Sequence, residues 1–136
     1  MRLGELLIEK GLVSEQQLLK GLTRHYRTHE LLGECLILEG VISESSLLGA
    51  LSELLDVPYF EVLTTDMFSQ ESLALIPGAY AKRWCVIAGE NNKGFIVFFN
   101  DKRGDVESLI KEKGMHVSYA LSKKSEIRRA LDAFLS

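Results

Sequence analysis

The chain has 136 residues, of which 46% are hydrophobic and 26% charged, and its formal net charge is -3. This length and balance are typical of one ordinary globular domain or of two small subdomains. The mildly acidic charge gives no global attraction to nucleic acid, and no apolar run approaches the roughly 18–20 residues of a membrane span. We therefore expect no nucleic acid polymer among the partners and no direct insertion into a membrane.

The first predicted elements form a tandem repeat with an offset of 29 residues. The segment RLGELLIEKG at residues 2–11 returns as LLGECLILEG at residues 31–40. The residues that recur at this offset are Leu3, Gly4, Glu5, Leu7, Ile8, Gly11, Ser14, Glu15, Leu18, Leu19 and Leu22.

Local chemistry predicts the same two helices in each copy. A short helix ends where Gly11 or Gly40 can form a left-handed C-terminal cap. Ser14 or Ser43 then caps a longer helix, whose leucines recur at helical spacing and form a buried stripe. Gln17 follows Ser14 by three residues, which is the spacing of a capping box. Neither unit can bury its stripe alone, so we expect the two copies to pack together.

The pattern changes at Pro58, which cannot continue a helix. The elements predicted after it are an extended piece at 59–62, a helix at 64–75, strands at 84–88 and 94–99 joined by a hairpin turn, a helix at 105–113, a third strand at 115–120 and a final helix at 122–135. We therefore predict an α+β fold. Residues 1–57 would form a helical subdomain of two helix-turn-helix repeats, and residues 58–136 a small α/β subdomain with a roughly three-stranded sheet.

Essentially the whole chain resembles one known family. The doubled RLGxxL…G…L…L unit followed by VPYF is similar to the N-terminal domain of bacterial type II secretion and type IV pilus assembly ATPases. The stretch ALIPGAYAKRWCVIA and the ending after FFNDKRGD resemble later parts of the same domain. The resemblance implies a non-catalytic regulatory domain of protein transport, since the GxxxxGKS/T motif of the ATPase engine is absent from the sequence.

Two functions are compatible with this resemblance. The first is docking to a partner of the secretion or pilus machinery, such as the cytoplasmic part of a membrane assembly protein or an ATPase. The alternative is a receptor for cyclic di-GMP. One branch, the MshEN-type domains, binds this dinucleotide through two copies of RLGxxLxxxGxxxxxxLxxxLxxQ, in which the arginine and glutamines contact the ligand and the leucines wall its pocket. The candidate ligand-binding residues that follow from the resemblance are Arg2, Leu3, Gly4, Leu18, Leu22, His25, Leu32, Gly33, Leu47 and Leu51.

The two copies depart from the branch pattern at its polar positions. Leu31 stands at the arginine position of the second copy, and His25 and Leu54 stand at the two glutamine positions. His25 can donate and accept a hydrogen bond, whereas Leu54 can do neither. A ligand group facing Leu54 would lose a polar partner, which costs about 1–3 kcal/mol.

Other clusters give no case for an enzyme, a cofactor or a metal. His25 and His29 are four residues apart and could share a helix face, but no third metal ligand is evident. Basic residues around Tyr26 could contact phosphate, or they could form a solvated loop between helices. The basic residues Lys82, Arg83, Lys123, Lys124, Arg128 and Arg129 are interpreted as exposed charged faces.

The two cysteines, Cys35 and Cys85, both lie inside apolar segments. Buried thiols are the ordinary state of such residues in a reducing compartment. We therefore predict two free thiols and a cytoplasmic location.

Overall fold

The structure is a computed structural model that describes residues 2–101 and 103–135. Within these ranges the chain forms eight α-helices and a small mixed four-stranded sheet, so the predicted α+β class is confirmed. The chain divides into two compact units, one ending at Asp56 and the other beginning at Val57. None of the helices in the described ranges has the length and apolarity that a bilayer crossing requires.

The first unit is entirely helical and repeats one pair of helices. Its elements are α1 (Leu3–Glu9), α2 (Glu15–Thr28), α3 (Leu32–Leu38) and α4 (Glu44–Leu55). The predicted caps are confirmed, because Gly11 and Gly40 have φ angles of +71° and +72°. The hydroxyls of Ser14 and Ser43 each accept a backbone N–H at 3.1 Å, and Gln17 Oε1 accepts the Ser14 N–H at 2.9 Å. Local sequence therefore determines where these helices begin and end.

The two repeats pack on each other through contacts of α1 with α4 and of α2 with α3. The core contains the equivalent residues Leu7 and Leu36, which are both fully buried. Leu36 lies directly over Gly21 of α2, where an added Cβ would be 2.5 Å from its Cδ2. Ala50 of α4 stands at the position equivalent to Gly21 and is also buried in this core. The helical unit is therefore a pseudo-symmetric pair, as the repeat predicted.

The second unit is a four-stranded sheet with helices. Its elements are β1 (Tyr59–Phe60), a 3-10 turn (Thr65–Met67), α5 (Gln70–Leu73), α6 (Gly78–Trp84), β2 (Ile87–Asn91), β3 (Gly94–Phe99), α7 (Val106–Glu112), β4 (Val117–Ser122) and α8 (Lys124–Leu135). The strand order is β1-β4-β3-β2, with β2 antiparallel to β3 and the other pairs parallel. Val97 and Phe98 of β3 and Ile127 of α8 are among its fully buried residues.

Three predictions for this unit need correction. The helix expected at 64–75 is wrong as a single element, because Ser69 is extended and caps a separate short helix by accepting the Ser72 N–H at 3.0 Å. The strand expected at 84–88 starts instead at Ile87, since Trp84 ends helix α6. Pro77 precedes that helix directly, where the fixed proline φ suits a helix start. The sheet has four strands rather than three, because the two-residue β1 pairs with Leu121 and Ser122.

Candidate functional site

Equivalent glycine–leucine contacts position the first turn of each short helix. A Cβ added to Gly4 would lie 3.2 Å from both methyls of Leu18, and one added to Gly33 would lie 2.8 Å from Leu47 Cδ2. Each glycine therefore lets the short helix pack closely on a leucine of the longer helix in the same repeat. Four of the candidate residues are thus brought together in two matched pairs. A Cβ at Gly33 would require Leu47 to shift, and one at Gly4 would require Leu18 to give by a few tenths of an ångström.

The candidate leucines divide into two groups by their packing. Leu3, Leu18 and Leu32 are half-buried and pack against the core of the helical unit, and Leu47 is buried. Leu22 and Leu51, which are equivalent in the two repeats, are half-buried. All of these leucines except Leu47 therefore retain apolar surface that could contact a ligand, and Leu3, Leu18 and Leu32 also pack against the core.

Arg2 lies at the N-cap position of α1 and is exposed. Its backbone N–H donates to Glu5 Oε2 at 3.4 Å, which fixes the main chain at the start of the helix. The guanidinium is therefore carried at the edge of the helical unit, from which it can meet a solvent-borne ligand.

His25 lies in the last turn of α2, and its ring is anchored to the start of α3. Its Nδ1 bonds the carbonyl oxygen of Glu30, the residue before the α3 N-cap. Because a carbonyl oxygen can only accept, Nδ1 must carry the hydrogen and donate it. The Cys35 thiol donates to the same oxygen at 3.7 Å. Nε2 is therefore the ring atom left for a ligand, and it is an acceptor when the ring is neutral.

The equivalent positions in the second repeat are apolar. Leu31, at the position equivalent to Arg2, is 47% exposed at the N-cap of α3. Leu54, at the position equivalent to His25, is half-buried against the core. A molecule bound along the pseudo-symmetry axis would thus meet Arg2 and His25 without matching polar groups from the second copy.

Two ion pairs at equivalent positions carry opposite charges. Arg24 of α2 lies 3.7 Å from Glu39, which follows α3. Lys10, which follows α1, lies 2.6 Å from Glu53 of α4. With the offset of 29, Lys10 corresponds to Glu39 and Arg24 to Glu53, so the polarity of the bridge is reversed. Each partly exposed pair contributes at most about 1 kcal/mol. These two ion pairs were not predicted from the sequence. The opposite charges at matched repeat positions would have indicated them.

The other residues considered for metal or phosphate binding have structural roles. The segment around Tyr26 is the last part of α2 rather than a loop, and Arg24 also pairs with Glu30 at 3.3 Å. His29 ends that helix with a left-handed φ of +63°. In the described ranges, no group of three or more histidine, cysteine and acidic side chains could hold a metal ion. Cys35 and Cys85 are free thiols, as predicted, but Cys35 is buried whereas Cys85 is only half-buried.

Solved structures with the same architecture cover nearly the whole chain. A structure of MshE with cyclic di-GMP matches 98% of this chain and 99% of its own, at 25% identity and a TM-score of 0.84. The N-terminal domain of XpsE matches in two crystal forms, both at 16% identity. One covers 99% of this chain and 94% of its own with a TM-score of 0.72, and the other covers 94% and 90% with a TM-score of 0.55. No protein-family profile and no curated protein matches.

These likenesses confirm the resemblance predicted from the sequence. The chain has the architecture of an MshEN-type N-terminal domain of type II secretion and type IV pilus ATPases. The neighbours support a regulatory domain.

Proposed function

We propose that this chain is a cytoplasmic regulatory domain whose helical unit binds cyclic di-GMP. The observation that carries the proposal is the likeness to MshE with cyclic di-GMP, which extends over 98% of the chain. The matched contacts of Gly4 on Leu18 and of Gly33 on Leu47 support it, because a glycine meets a leucine at the same point of both repeats.

The ligand's symmetry suits the architecture of the repeat. Cyclic di-GMP consists of two guanosine monophosphate units related by a two-fold axis, and the helical unit presents two equivalent helix pairs. The Arg2 guanidinium can stack on a guanine or donate a forked pair of hydrogen bonds to O6 and N7 or to a phosphate. His25 Nε2 would accept from a base, and the apolar surface of Leu22 and Leu51 would cover the rings.

Thermal denaturation with and without ligand tests this proposal. We expect cyclic di-GMP, but not GTP, to raise the melting temperature, because a ligand that binds only the folded state stabilises it. Arg2→Ala and His25→Ala should abolish the shift, whereas Arg27→Ala, which removes an exposed charge from the same helix, should retain it. If the shift is absent from the unmodified protein, or unchanged in both site variants, the proposal is wrong.

Docking to a partner of the secretion or pilus machinery is the second candidate. It is favoured by exposed apolar side chains on the helical unit, where Leu19 is 63% and Tyr26 74% exposed. Tyr59, Phe60 and Trp84, in the second unit, are only half-buried. Leu19→Glu and Tyr26→Glu should therefore weaken co-purification with the cytoplasmic part of the assembly protein or with the ATPase, without lowering the melting temperature. Unchanged co-purification would exclude this surface.

A further inference from the structure

We propose that the second unit carries an oxyanion-binding pocket lined by Arg83, Lys124 and Arg128, which takes a phosphate or diphosphate group. Arg83 precedes Lys124 and Arg128 by more than 40 residues in the sequence. Arg83 lies at the end of α6, and Lys124 and Arg128 lie one turn apart at the start of α8. The pocket encloses about 300 Å³. Two basic runs that would otherwise be separate charged faces therefore converge on one concavity.

The charge balance of this pocket favours an anion. Among the described residues that line it, three are cationic and Asp101 is the one carboxylate. Asp101 lies 4.0 Å from the Lys124 ammonium, at the limit of an ion pair. The pocket thus keeps two positive charges beyond this pair. Cationic side chains that reach a phosphate oxygen to about 2.7–2.9 Å would replace its hydration with charge-assisted hydrogen bonds.

Lys124 lies at a position that disfavours a cation, and Asp101 offsets part of its charge. Lys124 is the first residue of α8, where the partial positive charge of the helix terminus disfavours a cation. Lys123, just before it, is also cationic and pairs with Glu61 at 2.7 Å. Violations of local rules of this kind concentrate at functional sites. A bound oxyanion would offset both the repulsion among the cations and the unfavourable helix-end charge.

The walls of the pocket are held in place by close contacts. The Trp84 ring stacks on the Tyr80 ring with centroids 5.0 Å apart and planes at 10°. A Cβ on Gly104 would lie 2.5 Å from the indole, so this loop backbone rests directly on Trp84. Cys85 follows in the left-handed region, with φ +52°. The wall formed by Trp84 and Gly104 is therefore pre-formed, which reduces the ordering cost of binding.

Intrinsic fluorescence provides a direct test, because Trp84 is the single tryptophan of the chain. The full chain is titrated with inorganic phosphate, pyrophosphate and ADP, against NaCl at matched ionic strength. We expect a saturable change with pyrophosphate that NaCl does not reproduce. A stronger response to ADP would identify a nucleotide as the source of the diphosphate, and an equal response would identify the free oxyanion.

Charge-neutralising variants decide whether the pocket is responsible. Arg83→Gln and Arg128→Gln should each weaken pyrophosphate binding about tenfold or more, since each removes a charge-assisted contact. Lys82→Gln is the matched control, because Lys82 is the exposed neighbour of Arg83 and does not line the pocket. The melting temperature of each variant checks that it is folded. The proposal is overturned if pyrophosphate and ADP give no saturable change up to about 10 mM, or if Lys82→Gln weakens binding as much as Arg128→Gln.

Discussion

At the scale of single residues, the important feature is the difference between matched positions of the two repeats. Arg2 and His25 are polar, while Leu31 and Leu54 are not. Leu31 is 47% exposed, so a longer charged side chain fits there without disturbing the core. Leu54 packs on the core and offers no such freedom. Position 31 is therefore the place where the second copy can regain a polar contact.

Leu31→Arg should tighten cyclic di-GMP binding. One recovered polar contact is worth about 1–3 kcal/mol, which corresponds to roughly a 5- to 150-fold lower dissociation constant. Leu38→Arg is the control, because Leu38 is an exposed leucine (56%) at the other end of the same helix. Calorimetric titration of both variants measures the effect. Equal affinities for the two would contradict the assignment of position 31 to the ligand site.

Glu126 should make the stability of the second unit depend on pH. Its carboxylate accepts the Leu63 N–H at 2.9 Å and a hydrogen bond from Arg129 at 2.7 Å. These interactions, the Leu63 hydrogen bond first, lower the pKa of Glu126 below its ordinary value near 4.5. A lowered folded-state pKa means that the stabilisation is present above about pH 4.5 and is lost as the pH falls through the folded-state pKa.

Glu126→Gln retains an acceptor for the Leu63 N–H but removes the charge. We expect it to lower the free energy of unfolding by less than about 1 kcal/mol near pH 7, because the Arg129 partner is solvent-exposed. The difference from the unmodified protein should shrink as the pH falls through the lowered folded-state pKa of Glu126, below which both forms are neutral at this position. Urea denaturation at pH 7 and at a series of acidic pH values measures it. A difference that stays constant with pH would mean that the carboxylate charge is not the cause.

At the scale of elements, the contact of α2 with α3 depends on a glycine that the contact of α1 with α4 does not require. Leu36 is fully buried and would be 2.5 Å from a Cβ at Gly21. Ala50 already supplies a Cβ at the matched position of α4. The first interface is therefore the tighter of the two at this point.

Alanine substitutions at two helical glycines should have opposite effects. Gly21→Ala should lower the free energy of unfolding by about 1–2 kcal/mol, because overpacking outweighs the higher helix propensity of alanine. Gly49→Ala should raise it by about 0.5–1 kcal/mol, because no atom lies within 4 Å of the added Cβ. Chemical denaturation of both variants compares them directly. If both are stabilised, Leu36 moves more freely than its burial indicates.

The elements also show how far local sequence determines the fold. The caps at Ser14 and Gly11 were predictable because each depends on neighbours within a few residues. Helix α6 was not predicted because the apolar residues at its end, near Trp84, continue into the apolar residues of β2. A short apolar run does not distinguish a helix from a strand. The two-residue β1 exists only through its pairing with β4, which is a contact distant in sequence.

The candidate site was predictable to a similar extent. The repeat spacing identified the glycines and leucines that meet as pairs, because both members recur at the same offset. The anchoring of His25 was not predictable, because its partner is a backbone carbonyl, which every residue carries. The convergence of Arg83 with Arg128 was not predictable either, since it depends on the packing of α6 on α8.

At the scale of the whole molecule, the two units carry different chemistry. The helical unit is a tandem repeat held by the Lys10–Glu53 and Arg24–Glu39 ion pairs. In both pairs the first repeat supplies the cation and the second repeat the carboxylate. If one first repeat packed on a second copy of the first repeat, Lys10 would face Arg24. If two copies of the second repeat packed together, Glu39 would face Glu53. The charges therefore favour pairing of unlike copies. The second unit contributes the sheet and the basic pocket.

The central claim is that the helical unit binds cyclic di-GMP, and calorimetric titration of the unmodified protein tests it most directly. GTP is the control ligand. We predict one molecule of cyclic di-GMP per helical unit with a dissociation constant of about 10 μM or tighter, which corresponds to roughly -7 kcal/mol. This result would also show that Leu31, His25 and Leu54 are tolerated in a working site. Absence of heat at high protein concentration, or equal heat with GTP, would contradict the claim and leave the repeat as a scaffold for protein partners.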